Sequence, residues 1–412
     1  MSWPDRPEEN RTGLHGARIV LGVSGGIAAY KAAELASTLV QAGATVDVAM
    51  TEGASHFVQP LTFEGITHRR VFTGVFEGWD NGETGHVALA DNADLLLIAP
   101  ATANTIARVA FGLAEDMLGA VALATQAPIV VAPAMEHRMW HHPATQANVD
   151  TLRQRGVSIV GPASGRLASG ATGDGRMSST AEIVVAARRA LGRGGPLAGK
   201  KVVVTAGGTQ ESIDPVRFVG NRSSGRMGLA LAEAALDVGA DVHVIATHGI
   251  DPLLLWGDAV VVESASEMEL AVHRAVVDAD ILIMAAAVAD FRPAAKAEQK
   301  IKKQDGQDSL EISLVRNPDI VASVPSASLL KVGFAAETEH MLDNAVRKLE
   351  SKGLDLIVAN DAVATIGSDR SRATLIARDR EPLQLPEADK QVVASRIVDE
   401  IVRLMEPQTT DA

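Results

Sequence analysis

Near-continuous apolar runs alternate along this chain with segments of helical period. Residues 17–43, ARIVLGVSGGIAAYKAAELASTLVQAG, open on a β-branched run, pass a glycine-rich turn and enter an Ala- and Leu-rich stretch. Residues 200–240, KKVVVTAGGTQESIDPVRFVGNRSSGRMGLALAEAALDVGA, repeat that order. Each is followed by a short strand-like run, ATVDVAM and ADVHVIAT. Run, turn, helix and second run make a βαβ unit, so two α/β domains are expected. Their expected bounds are 15–189 and 200–406, with the Gly- and Pro-rich residues 190–199 as linker. ADLLLIAP and APIVVAP add strands to the first half; ADILIMAAAVAD, LLKVGFAAET and LDLIVAND add them to the second. Runs with no polar alternation suit parallel sheets covered on both faces. Helices are expected over 104–118, 145–155, 225–238, 266–277, 338–352 and 389–405. Residues 292–308, with four Lys and three Gln, read as a solvated loop or lid.

Composition narrows the function. The chain has 412 residues, 47% of them apolar and 22% charged, enough for at least two cores. Its 51 acidic and 38 basic side chains leave a net charge of -13, which rules out a broad nucleic-acid surface but not a local basic pocket. With no Cys, disulfides, Fe–S clusters, thiolate zinc sites and a cysteine nucleophile are excluded. At 3% aromatics, an aromatic-lined groove is not expected. No apolar run approaches the roughly 20 residues that span a bilayer, and the polar start lacks a secretory pattern. A cytoplasmic protein is expected.

In open parallel sheets the ligand crevice lies beyond the carboxyl ends of the strands, and the unusual polar residues of this chain fall there. The turn Gly22-Val23-Ser24-Gly25-Gly26 offers clustered N–H groups and a hydroxyl to a phosphate; a tight turn for close packing is the other reading. Asn104 could cap the helix after ADLLLIAP. His86 stands near a helix start, where a surface role is the simpler reading. Glu136, His137, His141 and His142 invite a metal, but their spacing is poor for zinc. In the second half, Arg217, Asn221, Arg222, Ser223 and Ser224 sit directly before an apolar helix and suit an anionic substrate. Asp290 with Lys296, Lys300, Lys302 and Lys303 would suit a divalent metal and a triphosphate; a solvated charge run is the alternative. A nicotinamide-dependent dehydrogenase would place an acid near Asp47, but GVSGG lacks the glycine spacing that fold needs.

Longer strings carry a resemblance over about residues 17–405. GVSGGIAAYKAAEL, GHVALADNADLLLIAPATANTIARVA and PAM..MW.HPAT resemble the flavoprotein half of a bifunctional coenzyme A biosynthesis family. TAGGTQESIDPVRFVGNRSSGRMG, AAAVADFRP, KIKK, NPDI, VGFAAET and VAND resemble its ligase half. In that family phosphopantothenoylcysteine decarboxylase is fused to phosphopantothenate–cysteine ligase. The resemblance implies a flavodoxin-like, Rossmann-like FMN domain followed by a second Rossmann-like α/β ligase domain. It implies that Gly22, Ser24, Gly25, Gly26, Thr51, Ala101, Thr102 and Asn104 hold FMN, and that His86 acts near the substrate carboxylate. Flavin would oxidise the cysteine thiol to a thioaldehyde so that the carbanion left by CO2 is delocalised, then reduce the ene-thiol product.

Two positions depart from the family pattern. Glu136 stands where an Asn binds the substrate carboxylate, so the two carboxylates repel unless one is protonated, Glu136 points away or His137 takes over. Ser169 stands where a flap Cys supplies the last proton, which leaves water or Asp174 as donors. An impaired or non-catalytic FMN domain beside an active ligase is therefore the alternative.

For the ligase the resemblance implies that 4'-phosphopantothenate attacks CTP, giving an acyl-cytidylate that the amine of L-cysteine then opens. Asn221 would hold the acyl intermediate with Arg217, and Lys300 would neutralise charge at phosphorus. Ala287, Asp290, Asn317, Pro318, Asp319, Ile320 and Phe334 would line the nucleotide site, with Asp290 toward Mg2+ or Mn2+. FMN-domain trimers and ligase-domain dimers, closing as a dodecamer, are the implied self-association.

Overall fold

The computed structural model describes residues 13–76, 85–250, 259–302, 309–325, 329–337, 341–361, 369–378 and 380–406. Two compact units divide at Arg193 and Gly194.

In the first unit, β1 (Arg18–Val23), β2 (Thr45–Met50), β3 (Val71–Phe72), β4 (Leu95–Ala101), β5 (Ile129–Pro133) and β6 (Ser158–Ile159) form one parallel sheet. Its order is β3-β2-β1-β4-β5-β6, so the chain reverses direction across the sheet between β1 and β4. Every residue of β4 is buried, as its unbroken apolar run requires. Helices cover both faces: α1 (Ala29–Gln41), α2 (Glu52–Ser55), α3 (Pro60–Thr67), α4 (Gly85–Asn92), α5 (Ala103–Phe111), α6 (Met117–Ala124), α7 (His137–Trp140), α8 (Pro143–Gln154) and α9 (Thr180–Gly192). The antiparallel hairpin of β7 (Ala163–Arg166) and β8 (Thr172–Arg176) stands apart as a flap.

Two features differ from the pattern reading. The helix expected over 104–118 is two helices. Gly112 adopts a left-handed φ of 68° and ends α5, and the Asp116 carboxylate accepts the Gly119 N–H at 2.8 Å to start α6. The helix α9 was not expected at all, although Ser179 and Glu182 form a full capping box at its start. It runs to Gly192, so residues 190–192 of the expected linker are helical.

The second unit holds β9 (Lys201–Ala206), β10 (Gln210–Ser212), β11 (Phe218–Gly220), β12 (Asp241–Thr247), β13 (Ala259–Val262), β14 (Ile281–Met284), β15 (Phe291–Pro293), β16 (Leu314–Arg316), β17 (Leu330–Glu337), β18 (Leu356–Asp361), β19 (Arg370–Ala377) and β20 (Leu383–Asp389). Its helices are α10 (Arg226–Asp237), α11 (Ala265–Ala275), α12 (Ile320–Ser323), α13 (Met341–Ser351) and α14 (Lys390–Met405). The main sheet runs β13-β12-β9-β14-β17-β18-β19-β20, with β19 and β20 antiparallel and the rest parallel. The edge strand β20 went unpredicted because it is largely exposed and carries no apolar run. Residues 338–340 of the expected helix over 338–352 lie outside the described residues, as does Lys303. No helix among the described residues is long and apolar enough to cross a membrane.

Candidate active sites

At the point where the first sheet reverses, a cavity of about 730 Å³ opens beyond the carboxyl ends of its strands. Gly25, Gly26, Ile27 and Ala28 form one wall, ahead of α1. No side chain caps that helix; Ala29 N–H bonds Gly26 O at 2.9 Å and Lys31 N–H bonds Ala28 O at 3.0 Å, so an anion would draw on the N–H groups of the glycine turn just before it. Gly25 is required by close approach: a Cβ there would lie 2.5 Å from the Gly53 carbonyl carbon. Thr102 forms part of the facing wall.

Ser24 has another role than the expected phosphate contact. It is 0% exposed, and its hydroxyl proton goes to Pro100 O at 2.7 Å while its oxygen accepts Thr102 N–H at 2.9 Å. A hydroxyl has one proton, so none is left for a phosphate. Ser24 thus braces the β1 turn against the β4 turn. Gly22 lies inside β1, where a Cβ would meet Leu118 Cδ1 at 2.4 Å, so it serves packing. Thr51 caps α2 through Ala54 N–H. Ala101 is buried in β4 and accepts Ala134 N–H at 2.9 Å. The cap of α5 is Thr102 rather than Asn104, which is exposed on the helix.

The flap overhangs this cavity with Arg166, Leu167, Ala168, Ser169, Gly175, Arg176 and Met177 among its lining residues. Ser169 thus lies at the cavity, on the turn of the flap. Asp174 does not: its carboxylate accepts from Ser164 Oγ and pairs with His141 Nε2 at 3.1 Å. Those contacts hold it ionised at a lowered pKa, so it is no proton donor at neutral pH. His137 Nδ1 accepts Asp174 N–H at 3.2 Å, which turns that ring to the flap rather than toward a substrate carboxylate. His137, His141 and Asp174 bring their ligating atoms within 4.8 Å of one another, a convergence that spacing in the sequence did not show because Asp174 comes from the flap. These contacts already engage all three residues.

Glu136 lines the cavity but caps α7, its carboxylate accepting Arg138 N–H at 2.7 Å. That backbone hydrogen bond lowers its pKa and keeps it anionic. The expected contact with a substrate carboxylate is therefore repulsive. Tyr30, Lys31, Arg166 and Arg176 also line the cavity and were missed as individual candidates; the signal available was their place within GVSGGIAAYKAAEL and within GRLASGATGDGRM, the segment around Ser169. His86 lies on α4 with Nδ1 buried and unpartnered among the described residues. It is not among the residues that line the cavity.

In the second unit, loops after β9 and β14 cross-brace each other at their carboxyl ends. Gly208 bridges Ala287, and Asn221 Nδ2 donates to Val288 O at 3.1 Å. Asn317 is buried, donates from Nδ2 to Ala289 O at 2.8 Å and from N–H to Asp290 O at 2.8 Å. It accordingly ties NPDI to the exposed Asp290 as a scaffold residue. Pro318 is half-buried, Asp319 caps α12 and pairs with Lys352 at 3.1 Å, and Ile320 is buried in the core, so its side chain packs rather than binds. Phe334 is half-buried on β17. Arg217 is turned inward on one edge: Nε donates to Asp214 Oδ2 at 3.0 Å and Nη2 to Ile301 O at 2.8 Å. The edge a bidentate substrate contact would use is thus occupied by the protein. Lys300 is exposed, directly before Ile301.

The fold and cavity define a two-unit α/β protein whose first half carries a glycine-walled cavity where its parallel sheet reverses. Residues 7–192 match the Flavoprotein family, and residues 197–405 match DFP, the DNA/pantothenate metabolism flavoprotein C-terminal domain. The coenzyme A biosynthesis bifunctional protein CoaBC of Vibrio vulnificus (strain CMCP6) is 44% identical over 398 residues, covering 95% of this chain and 99% of its own. That of Bacillus subtilis (strain 168) is 43% identical over 399 residues, covering 95% and 98%. A crystal structure of the C-terminal domain of coenzyme A biosynthesis bifunctional protein CoaBC is 36% identical, with TM-score 0.44, over 51% of this chain and 97% of its own. The chain belongs to the family of bifunctional coenzyme A biosynthesis proteins, each half carrying one of the family's two domains.

Proposed function

We propose that residues 200–406 join 4'-phosphopantothenate to L-cysteine at the expense of CTP, and that residues 15–189 decarboxylate the product to 4'-phosphopantetheine. The observation that carries the second half of this reading is the flap-covered cavity at the uncapped start of α1. FMN fits it: Gly25, Gly26 and the following N–H groups would hold the phosphate, and Thr102 would meet the ring side. When bound, FMN supplies the two-electron oxidation and re-reduction that decarboxylation needs. Lys31, Arg166 and Arg176 carry the sign required for the substrate's carboxylate and phosphate, which the anionic Glu136 does not. The flap excludes water, and Ser169 orients a water or hydroxyl for the last proton. His86, with its unpartnered Nδ1, reaches the reaction from a neighbouring copy in an FMN-domain trimer.

In the ligase half, Asn221 holds the acyl group and Lys300 neutralises charge at the α-phosphate. Asp290 takes Mg2+ or Mn2+ beside the nucleotide, with Ala287, Asn317, Pro318, Asp319 and Phe334 shaping its site. Dimeric ligase units joined to trimeric FMN units close as a dodecamer. A coupled mass-spectrometric assay with 4'-phosphopantothenate, cysteine, CTP and Mg2+ tests both halves. Appearance of 4'-phosphopantetheine is expected; accumulation of phosphopantothenoylcysteine without CO2 would refute the decarboxylase reading and leave the ligase standing.

A further inference from the structure

Asp214 lies in the turn between β10 and β11, with its side chain wholly buried. Its Oδ1 accepts Val216 N–H at 2.8 Å and Arg217 N–H at 2.9 Å. Those two bonds, with Ile213 N–H to Arg217 O at 2.8 Å, already close the turn. The remaining oxygen reaches elsewhere in the chain. Oδ2 accepts Arg217 Nε at 3.0 Å and Ile301 N–H at 3.1 Å, while Arg217 Nη2 donates to Ile301 O at 2.8 Å. Both backbone polar groups of Ile301 are therefore gripped by one ion pair. Ala297 N–H to Ile213 O at 2.9 Å fastens the same segment four residues earlier. Arg217 beside Asp214 holds its carboxyl well below the usual carboxylate range, so the grip stays charged at any assay pH.

We infer that Asp214 and Arg217 are positioning residues for Lys300, fixing the backbone next to it so that its ammonium meets the α-phosphate without a search through loop conformations. Burial of an ion pair is costly unless its hydrogen bonds are filled, and here the last donor, Ile301 N–H, and the acceptor, Ile301 O, come from the KIKK segment itself. The inference rests on the reading of Lys300 as the group that neutralises charge at phosphorus. Neither Asp214 nor Arg217 touches the substrate in this scheme; they act through the lysine.

The test uses the full-length enzyme in the ligase assay, with Asp214→Asn, Arg217→Lys, Lys300→Gln and the double variant Asp214→Asn/Lys300→Gln. Misplacing a charge-stabilising group by about 1 Å costs on the order of 100-fold in rate. Asp214→Asn is therefore expected to lower kcat by roughly 10- to 100-fold with KM for CTP within about 3-fold. Arg217→Lys, which keeps the charge but not the forked geometry, should fall between it and the parent. In the Lys300→Gln background, Asp214→Asn should change the residual rate by less than about 2-fold, because its partner in function is already gone. Trypsin should cut after Lys300 and Lys302 faster in Asp214→Asn than in the parent. Full activity of Lys300→Gln would overturn the inference by removing the lysine's role. An inactive Lys300→Gln beside an unchanged kcat in Asp214→Asn would overturn the clamp alone. Multiplicative losses in the double variant would show a general structural effect and overturn it as well. Should Asp214→Asn fail to fold, Arg217→Lys carries the same comparison.

Discussion

Replacing Ser24 by Ala separates a brace from a phosphate ligand. The change deletes the Oγ bond to Pro100 O at 2.7 Å and removes the acceptor of Thr102 N–H at 2.9 Å. Pro100 O keeps the Ser24 N–H at 3.2 Å, so its loss is partial. Thr102 N–H is left without that acceptor at the start of α5, and an orphaned donor costs about 1–3 kcal/mol. With the lost Pro100 bond the sum is about 2–3 kcal/mol. For a unit of this size each kcal/mol moves Tm by roughly 2–4 °C, giving a fall of roughly 5–10 °C. Thermal unfolding would be followed on the holoenzyme and after FMN removal. A brace lowers Tm in both forms by the same amount. A fall confined to the FMN-loaded form, with the FMN-free protein unchanged to within about 1 °C, would refute the internal use of the hydroxyl and return Ser24 to the phosphate.

Gly25→Ala places a Cβ against the Gly53 backbone at 2.5 Å, so FMN titration should show binding weaker by roughly 5- to 100-fold. Gly26→Ala, whose Cβ would meet only Thr102 Cγ2 at 3.5 Å, should leave the FMN-free protein as stable as the parent in thermal unfolding. Asp174 has a pKa lowered chiefly by the Ser164 hydroxyl and His141, so its hold on the flap is present above the ordinary carboxylate range and is lost as pH falls through the lowered value. Protection of flap amides from hydrogen exchange, relative to an unstructured chain at the same pH, should accordingly hold down to about pH 4 and fall below it, whereas in Asp174→Asn it should already be lost at neutral pH. Lys331 is fully buried and donates to Val321 O, Val324 O and Lys352 O. Lys331→Met should lower the stability of the second unit by about 1–3 kcal/mol in thermal unfolding, through carbonyls left without that donor.

The two βαβ openings were legible because parallel strands buried on both faces leave unbroken apolar runs, and β1, β4, β9 and β14 appear where those runs stand. The strand order and the point of reversal then follow from right-handed crossovers, which place glycine turns and polar loops at one end of each sheet. The flap was recognisable only as a resembling string; its strands are mostly Gly and polar residues with no periodic signal. The edge strand β20 escaped for a related reason, since an exposed edge strand needs no apolar face.

Residue identity by itself determined what chemistry is available: no thiol anywhere, a serine in the flap, a glutamate where the family pattern has an amide, and a lysine-rich segment beside an acidic loop. Tertiary structure decided which of those groups can act. A hydroxyl has one proton and a guanidinium edge holds one carboxylate, so Ser24 and Arg217 were committed only once Pro100, Thr102, Asp214 and Ile301 came within bonding distance. Glu136 became a helix cap and Asp174 a flap anchor in the same way. Side-chain chemistry is local to a residue, but the hydrogen bonds that use it up join distant positions, 87 residues apart for Asp214 and Ile301, and no spacing rule along the chain encodes them.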